Sequence, residues 1–201
     1  MDRDQWNERY GGDDLVWTST PNQFLVSEAS DLPVGRAVDL ACGEGRNAVW
    51  LAERGWKVTG VDFSPVGLAK ANRLARSRQV DVRWVESPVE AWTPPPDGFD
   101  LVAVFYLQLP PPERSVALTV AAAAVAPGGC LLVVAHDHDN LTRGFGGPPD
   151  DAVLYSVNDV TDVAEANGLI VERAEQVIRH VVTESGKREA IDTLVRAVRP
   201  I

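Results

Sequence analysis

The sequence has few of the features that mark a secreted or nucleic-acid-binding chain. Only two of its 201 residues are cysteines, Cys42 and Cys130, and both stand in apolar runs. A disulfide framework is therefore not expected, and a reducing compartment such as the cytoplasm is the simplest location. Basic charge is also scarce, with 19 lysines and arginines against 29 acidic residues and a net charge of −10. Such a surface repels phosphate backbones and anionic lipid headgroups, so we expect neither nucleic acid nor membrane as a partner.

Long hydrophobic runs and internal repeats are missing as well. The longest apolar stretches, such as residues 120–126, fall far short of the roughly 20 residues that a membrane span needs. The first fourteen residues lack the apolar core of a secretory signal. With 45% hydrophobic residues, the chain suits one soluble domain over residues 1–201 that begins with a polar segment, residues 1–33.

From residue 36 onward, strand and helix patterns alternate, which is typical of an α/β domain. The apolar runs at residues 99–105 and 130–135 indicate strands covered by helices on both faces, as in parallel sheets. An irregular stretch is expected over residues 140–154. The predicted strands are residues 36–41, 56–61, 80–85, 99–105 and 130–135, and the predicted helices are residues 44–54, 65–77, 111–126 and 156–168.

The C-terminal part has a different pattern. Residues 169–182 and 188–198 read as two long strands, and the Thr-Glu-Ser-Gly sequence at residues 183–186 predicts a tight, antiparallel connection. The sequence therefore predicts a mostly parallel seven-stranded sheet with an antiparallel C-terminal hairpin strand and helices on both faces.

A glycine-rich turn follows the first predicted strand, in the sequence Asp39-Leu-Ala-Cys-Gly43-Glu-Gly45-Arg-Asn47. Parallel α/β sheets bind ligands at the carboxyl ends of their strands, where the strand order reverses. Glycines allow a ligand to approach the backbone there, and the next helix offers its N-terminal amides to an anionic group. The alternative is an ordinary glycine-containing turn.

An acidic residue, Asp62, ends the second strand about 20 residues beyond the glycines. A carboxylate at that point can accept both hydroxyls of an adenosine ribose, and Phe63 can lie against the adenine. Two adenosine ligands fit, because Gly43, Gly45 and Ala48 also match a relaxed dinucleotide pattern. Asp39 favours a ligand with a cationic amino acid over a pyrophosphate, which it would repel.

With these residues in view, the chain resembles the class I S-adenosylmethionine-dependent methyltransferases. DLACGEGRN resembles their first motif, GVDFS their second, and the late hairpin their sixth and seventh strands. The fuller string, with WNERYGG and TPNQFL near the N-terminus, is most similar to the tellurite-resistance and thiopurine methyltransferase-like branch. The resemblance implies a Rossmann-like fold in which the N-terminal segment closes over S-adenosylmethionine, with Trp6, Tyr10 and Trp17 as its contacts.

The same resemblance implies that Asp39 and Gly43 lie near the methionine moiety, Asp62 holds the ribose and Phe63 packs on adenine. Many relatives carry an aspartate after the third strand, but this chain has Pro88, so adenine recognition falls to the backbone near Val89 or to Glu86. The full set of expected cofactor contacts is Trp17, Asp39, Ala41, Gly43, Gly45, Asn47, Asp62, Phe63, Ser64, Ser87, Val89 and Phe105.

The methyl acceptor is expected at the carboxyl ends of the fourth, fifth and sixth strands. Tyr106 and Gln108 follow the fourth strand, and His136-Asp137-His138-Asp139 follow the fifth. In tellurite-resistance relatives a histidine and an arginine line the substrate pocket where His180 and Arg188 stand, although this chain has Val181 in place of a further arginine. The predicted catalytic residues are His136, Asp137, His180 and Arg188. His136 and His138 could instead chelate a metal, but no metal site is assigned.

The favoured function is methyl transfer to a small-molecule acceptor. A nicotinamide-dependent oxidoreductase and a non-catalytic S-adenosylmethionine-binding protein remain as alternatives. The sequence leaves open the identity of the acceptor and the formation of a homodimer.

Overall fold

Seven strands form the sheet that organises the chain, and the structure, a computed structural model, describes residues 1–183 and 186–201. The strands are β1 (Arg36–Leu40), β2 (Lys57–Asp62), β3 (Val82–Glu86), β4 (Phe99–Phe105), β5 (Val125–His136), β6 (Ile170–Thr183) and β7 (Gly186–Val198). The helices are α1 (Arg3–Arg9), α2 (Gln23–Ala29), α3 (Arg46–Glu53), α4 (Pro65–Ser77), α5 (Pro111–Ala123), α6 (Asn140–Arg143) and α7 (Val157–Ala166), with short 3₁₀ turns at Val89–Ala91 and Asp151–Val153.

The strand order is β3-β2-β1-β4-β5-β7-β6. The first five strands are parallel, whereas β7 runs antiparallel to both β5 and β6. The predicted fold is therefore confirmed. The order reverses between β1 and β4, so the carboxyl ends of these strands form the crevice in which such sheets bind ligands.

Local sequence explains where the helices that border this crevice begin. Ser64 caps α4 by accepting the Gly67 N–H at 3.0 Å, and Pro65 fits the first turn because its missing N–H would be unpaired there. Ser156 and Asp159 form a reciprocal capping box at the start of α7. Helix α3 begins at Arg46, and the preceding residue, Gly45, has a left-handed backbone conformation with φ of +79°.

The hydrophobic core lies on both faces of the sheet. One face packs against α2 and α3 through residues such as Phe24, Leu25 and Leu51. The other packs against α5 and α7 through residues such as Leu118 and Val160. Strands buried on both faces hold the carboxyl edge rigidly, which is where precise side-chain placement matters.

The structure corrects three sequence predictions. Helix α5 ends at Ala123 instead of residue 126, because Val125 already pairs with Phe99 and extends β5 backwards past the Pro-Gly-Gly sequence. Residues 140–154, expected to be irregular, contain α6 and a 3₁₀ turn. Residues 1–33, described only as polar, contain α1 and α2. The predicted hairpin turn includes Glu184 and Ser185, which lie outside the described residues.

No helix in the described part of the chain is long and apolar enough to cross a membrane.

Candidate functional site

The glycine turn and the end of β2 are joined by a buried carboxylate. Asp62, which is 5% exposed, accepts the Gly43 N–H at 2.7 Å and the Ser64 N–H at 2.8 Å. Burial raises the pKa of Asp62, against the opposing effect of these backbone donors. Asp62, at the end of β2, is thus hydrogen-bonded directly to the glycine turn that follows β1.

A second carboxylate, Asp39, lies at the end of β1 and is 1% exposed. It accepts the Ala48 N–H at 3.1 Å. Burial raises its pKa to about 7, although the Ala48 N–H and the Arg46 guanidinium act in the opposite direction. A buried carboxyl group with this pKa is poorly compensated, and a cation placed beside it would favour its ionised form.

The turn between the two carboxylates has little spare room. A Cβ on Gly45 would lie 2.7 Å from the Ala71 Cβ and 2.8 Å from the Trp84 ring. The neighbouring Ala41 has φ of +56°, a region that alanine rarely adopts. The turn is held in a strained shape, as is common where backbone must approach a ligand.

The N-terminal segment lies on this turn. A Cβ on Gly43 would lie 2.7 Å from the Tyr10 hydroxyl, and Tyr10 itself is 5% exposed. Burial, and then the Asp62 charge, raise the pKa of Tyr10, so its hydroxyl keeps its proton. Trp6 stacks on Tyr10 with ring centroids 5.3 Å apart. Trp17 is exposed, but its backbone is tied to the turn through Glu44.

Glu44 binds the N-terminal segment to the glycine turn and to α4. Its carboxylate accepts the Val16 N–H at 3.0 Å and the Trp17 N–H at 2.9 Å, and the Lys70 ammonium lies 3.1 Å away. Lys70 also donates to the carbonyl of Asp14. Because Glu44 and Lys70 are each 3% exposed, the pair forms a buried clamp that joins residues 14–17 to α4.

The other expected cofactor contacts surround the same crevice. Asn47 is buried and accepts the Asn22 N–H at 2.9 Å, Ser64 donates to Asn7 at 2.6 Å, and the Ser87 N–H donates to the Asp62 carbonyl at 3.0 Å. Phe63 is partly buried, while Val89 and Phe105 are buried.

Four polar side chains meet on the α2 and α3 face of the sheet, where β4 and β5 end beside the interior of β7 and β6. The Tyr106 hydroxyl donates to Asp192 at 2.8 Å, and the Arg179 Nε donates to the same carboxylate at 2.7 Å. His136 Nδ1 lies 3.3 Å from Asp192 Oδ1. The His136 and Tyr106 rings are 4.6 Å apart. We call Tyr106, His136, Arg179 and Asp192 the acceptor-side cluster.

Asp137 lies on the opposite face of β5 and is 3% exposed. It accepts hydrogen bonds from Thr193 at 2.6 Å, from Gln176 at 2.8 Å and from the Asp139 N–H at 2.9 Å. His138 lies 2.7 Å from Asp151. Among residues 1–183 and 186–201, no group of three His, Cys, Asp or Glu side chains is arranged to hold a metal ion.

His180 and Arg188 lie in the part of the β6–β7 hairpin that extends beyond the end of β5. Both border an open recess of about 480 Å³ whose other lining residues are Arg143, Gly144, Phe145, Lys187 and Glu189. The His180 and Glu189 side chains are 65% and 66% exposed, and 3.9 Å separates them. The Arg188 guanidinium lies 6.0 Å from the Phe145 ring. The structure thus brings His136 into a buried cluster and leaves His180 at the surface.

Sequence reasoning missed Arg179 and Asp192, and it left Glu44 and Arg46 without roles. Arg46 lies near both Asp39 and Tyr106: burial lowers its pKa, while Tyr106 and Asp39 raise it. One signal was available for Asp192, since it interrupts the mainly apolar run at residues 190–195 and a charged residue there needs a partner. Its partners could not be read from the sequence, because they depend on cross-strand register.

Comparison with known proteins identifies relatives that match much of the chain. A family model described as a methyltransferase domain matches residues 37–129. Thiocyanate methyltransferase 1 from Arabidopsis thaliana is 31% identical over 175 residues, which cover 85% of this chain and 74% of that protein. The chain spans about half the length of several other curated methyltransferases that it matches.

Solved structures share the fold. One, from work on the conversion of a disulfide bond into a thioacetal group during echinomycin biosynthesis, has a TM-score of 0.80 at 22% identity and covers 98% of this chain and 93% of its own. Magnesium protoporphyrin IX methyltransferase from Synechocystis PCC 6803, with bound SAH, has a TM-score of 0.71 at 19% identity and covers 98% and 97%.

Proposed function

Because the chain belongs to the class I S-adenosylmethionine-dependent methyltransferases, we propose that it transfers a methyl group from S-adenosylmethionine to a small-molecule acceptor. Small acceptors are favoured by its relatives, which include trans-aconitate, ubiquinone-biosynthesis and thiocyanate methyltransferases. A position in the tellurite-resistance and thiopurine methyltransferase-like branch is part of the same proposal, and so is a cytoplasmic location.

The observation that carries the proposal is the pair of buried carboxylates on either side of the glycine turn. Asp39 would pair with the ammonium group of the methionine moiety, and Asp62 would accept the ribose hydroxyls. The chemistry that S-adenosylmethionine supplies is a methyl carbon made electrophilic by its bond to a sulfonium. The raised pKa of Asp39 supports this proposal, because a cation beside the buried carboxyl group would stabilise its ionised form.

The remaining donor contacts would come from the turn and the surrounding strand ends. We propose that Gly43 and Gly45 allow close approach of the ligand, while Phe63 and Val89 border the adenine. Residues 1–33 would form a cap, which the contacts of Tyr10 with the turn and of Glu44 with Val16 and Trp17 support. The further contacts in this proposal are Ala41, Asn47, Ser64, Ser87 and Phe105.

On the acceptor side, His136 is the catalytic residue that the geometry favours among the four candidates. It lies in a buried polar cluster at the end of β5, whereas His180 is exposed and Asp137 is occupied by Thr193, Gln176 and Asp139. Arg188 would act at the outer recess, where a cationic group can attract an acidic acceptor.

Two alternatives predict different ligands. A nicotinamide-dependent oxidoreductase would place a pyrophosphate beside Asp39, where a carboxylate repels it. A non-catalytic binding protein would hold the donor without transferring its methyl group. Family membership favours methyl transfer over both.

Calorimetry with S-adenosylhomocysteine tests the donor site. The wild type should bind at micromolar concentration, and Asp62→Ala should weaken binding by about 10-fold to 150-fold, since hydrogen bonds to a charged group contribute roughly 1.5–3 kcal/mol. Asp81→Ala, an exposed acidic position, is the matched control and should bind like the wild type. Binding of NADH without binding of S-adenosylhomocysteine would refute the proposal, and a broad acceptor screen read by S-adenosylhomocysteine release separates enzyme from binding protein.

A further inference from the structure

The acceptor-side cluster combines one buried carboxylate with donors from three other strands. Asp192 is completely buried. Its Oδ2 accepts both the Tyr106 hydroxyl at 2.8 Å and the Arg179 Nε at 2.7 Å. Burial alone would raise the pKa of Asp192, but the adjacent His136 ring and the hydrogen bonds from Arg179 and Tyr106 outweigh it and hold the pKa below its ordinary value. Asp192 is therefore a fixed negative charge behind the end of β5.

His136 is held between this charge and the sheet edge. In the antiparallel pairing of β5 with β7, His136 is directly opposite Asp192, so their side chains are neighbours on one face. Nδ1 is buried 3.3 Å from Asp192 Oδ1, at an angle that falls short of a well-formed hydrogen bond. Such contacts commonly tighten when a substrate binds.

The ring is also confined from its two sides. Tyr106 lies against it with a centroid distance of 4.6 Å, and a Cβ on Gly147 would lie 3.2 Å from its Nδ1. The His136 side chain is only 13% exposed. Nε2, which Cε1 separates from Nδ1, makes no hydrogen bond to any residue that the structure describes.

We infer that Asp192 is a positioning residue that holds His136 with its proton on Nδ1, so that Nε2 accepts a proton from an acceptor whose methylated atom is a hydroxyl, amine or thiol. This inference rests on the proposed function and deepens it. In the step assigned to His136, the bond between the acceptor atom and its hydrogen breaks and the electron pair stays on the acceptor atom. The proton goes to Nε2 and then to solvent. A thioether, a tertiary amine or an already anionic acceptor would need no such base.

Both short hydrogen bonds to Asp192, from Tyr106 and from Arg179 Nε, end on Oδ2, whereas Oδ1 accepts only a long bond of 3.5 Å from Arg179 Nη2. This difference between the two oxygens makes one variant decisive. In Asp192→Asn, the oxygen of the amide is fixed by the Tyr106 and Arg179 donors, so the NH₂ group takes the place of Oδ1 and faces His136. Nδ1 must then accept a hydrogen bond and lose its proton, and the proton moves to Nε2. A carboxylate behind an imidazole sets the tautomer in this way in Ser-His-Asp triads.

Nitrogen NMR of ¹⁵N-histidine protein at high pH reads this tautomer without any acceptor. The chain has three histidines, and His138→Gln and His180→Gln assign their signals. We expect the Nδ1–H form at His136 in the wild type and the Nε2–H form in Asp192→Asn. The matched control is Asp151→Asn, which removes the charge 2.7 Å from His138 and should leave the His136 signals unchanged. A wild-type Nε2–H form, or a tautomer indifferent to Asp192→Asn, overturns the inference.

Binding of S-adenosylhomocysteine separates this inference from the proposed function. Asp192→Asn should melt cooperatively and bind S-adenosylhomocysteine within about threefold of the wild type. The reason is that Asp192 lies outside the donor crevice, the name we give to Asp39, the glycine turn at residues 41–45 and Asp62. With an acceptor in hand, its kcat should fall by about 10²–10⁴-fold at a nearly unchanged KM, the range found for general-base and triad-orienting groups. A screen that yields only methylated thioethers, tertiary amines or anions would refute the assignment even if the donor binds.

Discussion

The donor crevice and the acceptor-side cluster lie along one edge of the sheet, but they are built differently. In the donor crevice, the hydrogen bond from Gly43 to Asp62 joins residues 19 positions apart. In the acceptor-side cluster, the bond from Tyr106 to Asp192 joins residues 86 positions apart. The donor crevice therefore follows from a short stretch of sequence, whereas the acceptor-side cluster exists only once the distant hairpin has paired with β5.

The charge balance of the two regions also differs. The pKa values of Asp39 and Asp62 are raised by burial, whereas that of Asp192 is lowered by its donors. A poorly compensated buried carboxylate is suited to receiving a ligand that brings positive charge or hydroxyl groups. A compensated one is suited to fixing its neighbours. The first arrangement suits the proposed donor site, and the second suits the proposed positioning of His136.

The largest effect is expected at Glu44, a buried carboxylate near the glycine turn whose charge is compensated by Lys70. Lys70→Met leaves Glu44 buried without its cation, and removing one partner of such a pair costs about 3–5 kcal/mol. We expect the free energy of unfolding in urea to fall by that amount. Lys57→Met, at an exposed position, is the matched control and should change it by less than about 0.5 kcal/mol.

The double variant Glu44→Gln with Lys70→Met removes both charges and should recover part of the loss. If Lys70→Met were as stable as the control, the Glu44 clamp would not hold the N-terminal segment.

The pH dependence of donor binding should show a middle-sized effect. Because burial raises the pKa of Asp39 to about 7, the carboxyl group is ionised above that pH and protonated below it. An ammonium group pairs only with the ionised form, so affinity is lost as the pH falls through 7. S-adenosylhomocysteine should bind about tenfold more weakly at pH 6 than at pH 8, a difference of about 1.4 kcal/mol.

Asp39→Asn removes the titrating group and is the control. It should bind more weakly at pH 8 and show a flat profile between pH 6 and pH 8 in calorimetry. The same raised pKa has the opposite consequence for the free protein, since the folded state holds the proton more tightly than the unfolded chain. The stability contributed by Asp39 therefore increases as the pH falls from 7 towards 4. A wild-type affinity that is independent of pH would contradict the assignment of Asp39 to a cation.

The sequence predicted the sheet and the glycine turn better than it predicted the contacts of the acceptor-side cluster, for a physical reason. Alternating strands and helices and the Gly43 turn depend on local pattern, and the predicted sheet is confirmed. The end of α5 was wrong because Val125 is recruited by Phe99 in the neighbouring strand, which no local signal reveals. Arg179 and Asp192 were missed for the same reason, and the adjacent His180 was chosen in a strand whose alternation turns it away from Arg179.

The smallest expected effect tests how independent the two regions are. The Tyr106 hydroxyl donates to Asp192 and accepts from Asn22, whose N–H in turn bonds Asn47 beside the glycine turn. Tyr106→Phe removes two hydrogen bonds and should lower the free energy of unfolding by about 1–2 kcal/mol, while Arg179 still compensates Asp192. Tyr155→Phe loses one hydrogen bond, to the Leu107 carbonyl, and is the control; its free energy of unfolding should fall by about half as much.

Neither phenylalanine variant should change the affinity for S-adenosylhomocysteine by more than about twofold if the regions act separately. A tenfold loss in Tyr106→Phe alone would show that Asn22 transmits the state of the acceptor-side cluster to the donor crevice. The donor crevice and the acceptor-side cluster would then not be independent, because the acceptor-side cluster would also determine the affinity for the donor. Calorimetry on the two variants at one pH decides between these outcomes.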